Sequence, residues 1–200
     1  MANGYVQTLF TPAVVEAQKH YYGRSAVPGG AVERDPLTPD EIAFIAARDS
    51  FYLGTISAAG WPYIQHRGGA KGFLRVLDPQ TLAFADLGGN RQLLSTGNLA
   101  TNDRVALFLM DYPRRERLKI LGHARVLDAK EHPEMLPQVL PEGVKQRQVE
   151  RIFVIEVLSY DWNCSQHITP RFTEEEVEVA VEPLRQRIAE LEKQLAAARK

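Results

Sequence analysis

The sequence predicts a mainly β fold (β+α): six or seven antiparallel strands closed into a barrel or sandwich, with flanking helices and a C-terminal helix. Three observations predict it. Between residues 51 and 158, short runs of strand-forming residues recur with hairpin-length turns between them. One helical stretch, after residue 89, interrupts those runs, so the crossover helices that a parallel sheet needs are missing. Beyond residue 172 the apolar period changes to that of a helix.

Each element has a local reason. Thr11 and Pro12 suit the cap and first position of a helix that runs to Tyr22, and Gly23 ends it. Residues 24–36 carry Gly29, Gly30 and two prolines and read as a loop. Thr38 and Glu41 have capping-box spacing with Pro39 between them, and Ile42, Ile45 and Ala46 form the apolar face of that helix. Phe51–Ser57 and Trp61–Arg67 read as a hairpin about Ala58-Ala59-Gly60, and Phe73–Leu77 and Thr81–Ala85 as another about Asp78-Pro79-Gln80. Residues 90–100 read as a helix with Leu93, Leu94 and Leu99 apolar. Val105–Met110, Arg117–Leu127 and Ile152–Leu158 complete the strands, with a short helix over Pro133–Leu140.

The tail is a separate unit. Thr173 and Glu176 form a second capping box. Val177, Val181, Leu184, Ile188, Leu191 and Leu195 follow at alternating spacings of four and three, a heptad seam. Pro183 inside it is expected to kink or restart the helix. Two placements fit the seam: against the chain's own barrel, or against a second subunit. The expected organisation is an N-terminal helix and loop extension over 1–37, a central β domain over 38–172, and a C-terminal amphipathic helix over 173–200.

Composition limits the partners. Lysine and arginine number 24 against 25 aspartates and glutamates, so no global field steers the chain to nucleic acid or an anionic membrane. No apolar run approaches the roughly 20 residues that span a bilayer. Cys164 is the single cysteine, which rules out an intrachain disulfide and suits a reducing cytoplasm; a buried, inert thiol or a reactive one would both fit it. Met1–Phe10 lacks the basic and apolar regions of a signal peptide. The five histidines show no metal-ligand spacing, and no nucleophile elbow, Walker loop or dinucleotide fingerprint is present.

Two segments carry chemistry. In Phe84-Ala85-Asp86-Leu87-Gly88-Gly89-Asn90-Arg91-Gln92 a strand ends, two glycines follow and a helix is expected to begin. Glycines let backbone approach a ligand, a helix start offers free N–H groups, and Arg91 adds a planar cation suited to phosphate. A tight turn with a solvated arginine would fit the same residues. The second segment, His66-Arg67-Gly68-Gly69-Ala70-Lys71, sets cations beside another glycine pair at a strand end, where a flat ring could lie on backbone.

Across roughly Ile42–Arg171 these segments, in this order, resemble the pyridoxamine 5′-phosphate oxidase-like FMN-binding split barrels. The hairpin from Phe51 to Pro62, Asn102–Phe108 and Arg117–Gly122 share the resemblance. It implies a split β-barrel homodimer with FMN at the subunit interface and a small-molecule substrate. By position it implies phosphate contacts from Arg91, with Asn90 and Gln92 where the family has serine and lysine, and Asp86 at the strand end. It implies flavin contacts from Lys71 with either His66 or Arg67, and Gly68 and Gly69 under the ring. Arg117 stands where the family has a glutamine, with Lys119 on the same strand face. Trp162, Gln166, His167 and Arg171 stand in the family's C-terminal flavin-contacting region. Here Asn163–His167 resembles a flavin-binding subgroup. The stretch from Glu131 to Arg151 lacks the tyrosine and serine with which the true oxidases hold a substrate phosphate. The expected function is an FMN-dependent oxidoreductase acting on something other than pyridoxine 5′-phosphate. A flavin sensor or carrier without turnover, and a barrel that takes haem or a deazaflavin, are the alternatives.

Overall fold

The computed structural model describes residues 3–25, 32–162 and 166–199. The chain runs α1 (Asn3–Leu9), α2 (Pro12–Tyr22), α3 (Pro39–Ala46), β1 (Ser50–Ile56), β2 (Pro62–Gly68), β3 (Arg75–Asp78) and β4 (Thr81–Leu87). It continues through α4 (Leu94–Leu99), β5 (Arg104–Asp111), β6 (Glu116–Asp128), α5 (Leu136–Val139), β7 (Val149–Trp162) and α6 (Glu174–Ala198). The seven strands form one antiparallel sheet in the order β2-β1-β5-β6-β7-β4-β3. The fold is a mainly β split barrel with helices.

The sheet curls so that its two ends meet through side chains, and the end strands β2 and β3 are not hydrogen-bonded to each other. Alternation along β1 sends Phe51, Leu53 and Thr55 inward. Phe51 stacks on Phe73 at 5.5 Å and meets the edge of Phe84 on β4 at 5.4 Å, and Phe84 stacks on Phe153 of β7 at 4.8 Å. This aromatic ladder bridges the split. With Leu107, Leu109, Leu118, Ile120 and Ile155 it makes the main core, capped by Leu37, Phe44 and Ile45 from α3 and the segment before it. A second cluster lies outside β4 and β7, where Leu136 and Val139 of α5 cover Ala83, Ala85, Ile152 and Val154.

The capping signals act as expected. Thr11 caps α2, and Gly23 closes it at φ 67°. Thr38 and Glu41 form the capping box of α3. α1 was not anticipated; it packs on β7, with the Gly4 amide donating to Asp35 Oδ2 at 3.0 Å. At Gly4 a Cβ would lie 2.4 Å from the Glu33 carbonyl oxygen. Opposite Leu121 and Gly122 of β6, β7 bulges at Leu158, and a Cβ on Gly122 would lie 2.5 Å from the Glu156 carbonyl oxygen.

Two expectations are corrected. Residues 90–93 are not helical: Arg91 and Leu93 sit at φ 61° and 54°, and the Asn90 side chain accepts from the Gln92 amide at 3.1 Å. This local turn competes with helix, so α4 starts only at Leu94. α6 runs through Pro183 as one helix and does not restart there, and none of its residues is buried, so its seam does not pack on the chain's own barrel.

Candidate functional site

The Gly-Gly-Asn-Arg segment closes one side of a cleft of about 200 Å³ between β2, β4, β7 and the start of α4. Alternation along β2 turns Tyr63, Gln65 and Arg67 into it, and Asp86, Gly89–Leu94, Ser95 and Arg151 complete most of the rim. α4 is fixed against the sheet by two polar contacts. Ser95 Oγ donates to Gln65 Oε1 at 2.8 Å, and Asn98 Nδ2 donates to the buried Thr55 Oγ1 at 2.9 Å.

Charge dominates this cleft. Asp86, at the end of β4, is buried and accepts from Arg67 Nη1 at 2.5 Å and from Arg151 Nε at 2.8 Å. Arg151 reaches it because the sheet register sets Arg151 of β7 opposite Asp86. Burial disfavours the Arg151 charge, but the hydrogen bond and attraction of Asp86, helped by Glu150, outweigh it and raise the Arg151 pKa further. Arg67 also lies over the Phe84 and Phe153 rings, at 5.5 and 5.0 Å, and its Nε is buried without a hydrogen-bond partner. Arg91 has no hydrogen-bond or ion-pair partner among the described residues. Three guanidiniums thus border one cleft against the carboxylates of Asp86 and Glu150, with Gly89 leaving open space beside them. A phosphate-sized dianion fits that chemistry.

The His66–Lys71 segment divides. The register pairs Phe51 with Arg67 and Tyr52 with His66, so Arg67 faces inward and His66 outward, edge-on to Tyr52 at 5.6 Å. Gly68 and Gly69 line a neighbouring cleft of about 260 Å³ that shares Arg67, Asp86 and Leu87 with the first. A Cβ on Gly69 would lie 2.9 Å from Phe73 Cγ, so the packing of Phe73 already accounts for this glycine. Lys71 lies on the rim of a different cleft, with Arg48, Tyr52, Tyr112 and Arg171.

The remaining expected contacts fall elsewhere. Arg117, His167 and Arg171 meet at a cleft of about 260 Å³ with Tyr52, Phe108, Met110 and Tyr112. Arg171 lies 4.9 Å over the Tyr112 ring, and Arg117 Nε is buried without a hydrogen-bond partner. Gln166 is exposed, and Cys164 lies outside the described residues. Like Gln166, Lys119 and Trp162 line none of these clefts. Lys119 pairs with Asp161 at 2.8 Å and lies over the Tyr5 ring. Trp162 donates from Nε1 to Glu41 Oε1 at 2.5 Å and packs edge-on against Phe44 at 4.8 Å. Burial works against ionisation of Glu41, but hydrogen bonds from Thr38, Trp162 and Tyr160 prevail and hold its carboxyl below the usual range.

The family model for pyridoxamine 5′-phosphate oxidase matches residues 37–158. The chain belongs to the pyridoxamine 5′-phosphate oxidase family. Solved structures similar to this family member include HupZ of Group A Streptococcus, with 14% identity over 68% of this chain and 100% of that one and a TM-score of 0.48. A general stress protein 26-related protein from Clostridium acetobutylicum has 14% identity over 69% and 94%, with a TM-score of 0.46. An FMN-binding protein from Syntrophomonas wolfei has 12% identity over 60% and 81%, with a TM-score of 0.45. No curated protein matches the chain. Among the described residues no helix is long and apolar enough to cross a membrane, and no group of three or more His, Cys, Asp or Glu is placed to hold a metal.

The sequence reading missed Arg151. Its signal is weak: one cation among β7 residues, set beside Asp86 only by strand register. Tyr63 and Gln65 were missed for the same reason, since only the inward alternation of β2 brings them to the cleft.

Proposed function

We propose that this family member binds FMN, holds the flavin phosphate in the Arg67–Arg91–Arg151 cleft, and acts as a homodimeric oxidoreductase on a small molecule in the cytoplasm. The observation that carries this reading is the convergence of three guanidiniums on a phosphate-sized cleft beside an open glycine. Arg91, without a hydrogen-bond or ion-pair partner among the described residues, supplies the least encumbered cation; Arg67 and Arg151 add charge held in place by Asp86.

The homodimer rests on a separation. The phosphate cleft and the Arg117–His167–Arg171 cleft share no residue, and β1 and β2 turn Arg67 and Tyr52 to opposite faces. Two copies would let one flavin meet both sets, its phosphate on one chain and its ring on the other. Tyr52, Ile56 and Ile64 leave an apolar outer face on β1 and β2, next to the exposed Trp61, for such a contact. The bound flavin would supply the two-electron chemistry. Arg117, with its unpartnered Nε, would hold negative charge against the ring.

The test is FMN titration of the full chain, with the cofactor released from freshly purified protein identified by mass. Arg91→Ala is expected to weaken FMN binding roughly 10- to 100-fold, the worth of one charged hydrogen bond of about 1.5–3 kcal/mol. A chain that binds neither FMN nor riboflavin removes the reading, and preferential uptake of haem or a deazaflavin reassigns the cleft.

A further inference from the structure

α6 is 25 residues, about 37 Å, and its seam is bare: Leu184, Ile188, Leu191 and Leu195 are 63, 57, 46 and 52% exposed. Apolar spacing of this regularity has no use in water and marks a face meant for another surface. We propose that it pairs with the same helix of a second copy of this chain, antiparallel, with Leu184 against the partner's Leu195 and Ile188 against the partner's Leu191. This does not rest on flavin binding.

Charge chooses both orientation and register. Residues 174–186 carry five glutamates against one arginine, whereas Arg187, Lys193 and Arg199 give the second half a slight positive excess over Glu190 and Glu192. A parallel pair would stack Glu174, Glu175 and Glu176 on their own copies, and an antiparallel pair sets the acidic half beside the basic half. Val181, Ile188 and Leu195 take one core position of the heptad, and Val177, Leu184, Leu191 and Ala198 the other. Glu178, Arg185, Glu192 and Arg199 then share one flank, and antiparallel packing brings that flank against itself. In the proposed register Arg185 faces the partner's Glu192 and Glu178 faces the partner's Arg199, each twice by two-fold symmetry. Shifting by one core layer, to Leu184 against the partner's Ile188, would set Glu178 against the partner's Glu192 and Arg185 against its own copy. Arg185 and Glu178 already pair along this flank within one helix, with Arg185 Nη2 3.3 Å from Glu178 Oε1. Pro183 falls at a heptad position away from the seam, so its missing N–H does not disturb the contact.

Disulfide trapping in the full chain tests this, in a Cys164→Ser background whose circular dichroism is unchanged. Val181→Cys and Ala198→Cys chains, differently tagged, are oxidised separately and after co-expression. The expected result is a disulfide-linked dimer joining one chain of each kind, and none in either single variant. Crosslinking within a single variant means parallel pairing and overturns the proposal. No crosslink in any sample means that something else covers the seam, and overturns it too. Arg185→Glu in both chains should lower the mixed crosslink severalfold, and adding Glu192→Arg should restore it. An unchanged yield with Arg185→Glu refutes the register.

Discussion

Asp86→Asn removes one negative charge from between two arginines while keeping the side chain's size. The carboxylate accepts from Arg67 at 2.5 Å and from Arg151 at 2.8 Å, and the two arginine side chains are only 15% and 17% exposed. Deleting one partner of a fully buried pair costs about 3–5 kcal/mol. Here some water still reaches both guanidiniums, and Arg67 keeps its contact with the Phe84 and Phe153 rings, so about 2–3 kcal/mol is expected. For a chain of this length each kcal/mol moves the melting temperature by about 2–4 °C, giving a fall of roughly 5–10 °C. Thermal unfolding followed by circular dichroism reads it directly. Inorganic phosphate should raise the melting temperature of Asp86→Asn more than that of the wild type, because an anion can replace the lost charge. Arg91→Ala, at an exposed position, should stay within about 0.5 kcal/mol of wild type without ligand. A variant Asp86→Asn that melts with the wild type would refute the claim that this carboxylate closes the barrel split.

Three further outcomes follow from the geometry. Glu41 has a depressed pKa in the fold, so its stabilisation is present above the ordinary value of 4.5 and is lost as pH falls through the folded one. Glu41→Gln should therefore cost about 1.5–3 kcal/mol at pH 7, with a melting-temperature gap that closes in acid; a gap independent of pH would count against the bonds to Thr38 and Trp162. Burial first, and the nearby Glu41 second, push Tyr160 up to about 12 from 10, so its stabilising effect is complete below pH 10 and lost between there and about 12. Phenolate absorbance should show a late-titrating tyrosine that Tyr160→Phe removes. Gly122→Ala drives a Cβ to 2.5 Å from the Glu156 carbonyl oxygen, which should cost about 1–3 kcal/mol in urea unfolding; neutrality would mean that the bulge relaxes freely.

The strands were legible because their residues alternate: Phe51, Leu53 and Thr55 enter the core, and Tyr52 and Ile56 stay outside. Caps were legible for the same local reason, since Thr38 and Glu41 find each other three residues apart. The start of α4 was not. Apolar spacing extends the helix back to residue 90, but the Asn90 side chain engages the Gln92 amide, and such side-chain bonds compete with helix. Trp162 illustrates another limit. Its position suggests a ligand contact, yet its partner Glu41 is 121 residues away and nothing local announces the bond. Arg151 is the counterpart at the site, a cation delivered to Asp86 by register alone.

Asp86 ties the fold to the site. One carboxylate orients Arg67 and Arg151 and, through Arg67, joins the β2 end of the sheet to β4. The same cations line the cleft where an anion would sit, and Arg67 keeps a buried Nε without a partner. The free protein is therefore charge-frustrated at its own seam: two carboxylates, Asp86 and Glu150, face three guanidiniums. An anion in the proposed cleft would relieve that excess, and because the residues lining the cleft come together only in the folded sheet, its binding free energy would become folding free energy. At one hundred times the dissociation constant the gain is about 2.7 kcal/mol, comparable to the cost assigned to Asp86→Asn. Stability and phosphate affinity should then fall together when Arg67 or Arg151 is removed, move in opposite directions for Asp86→Asn, and vary independently for Arg91, which takes no part in closing the sheet.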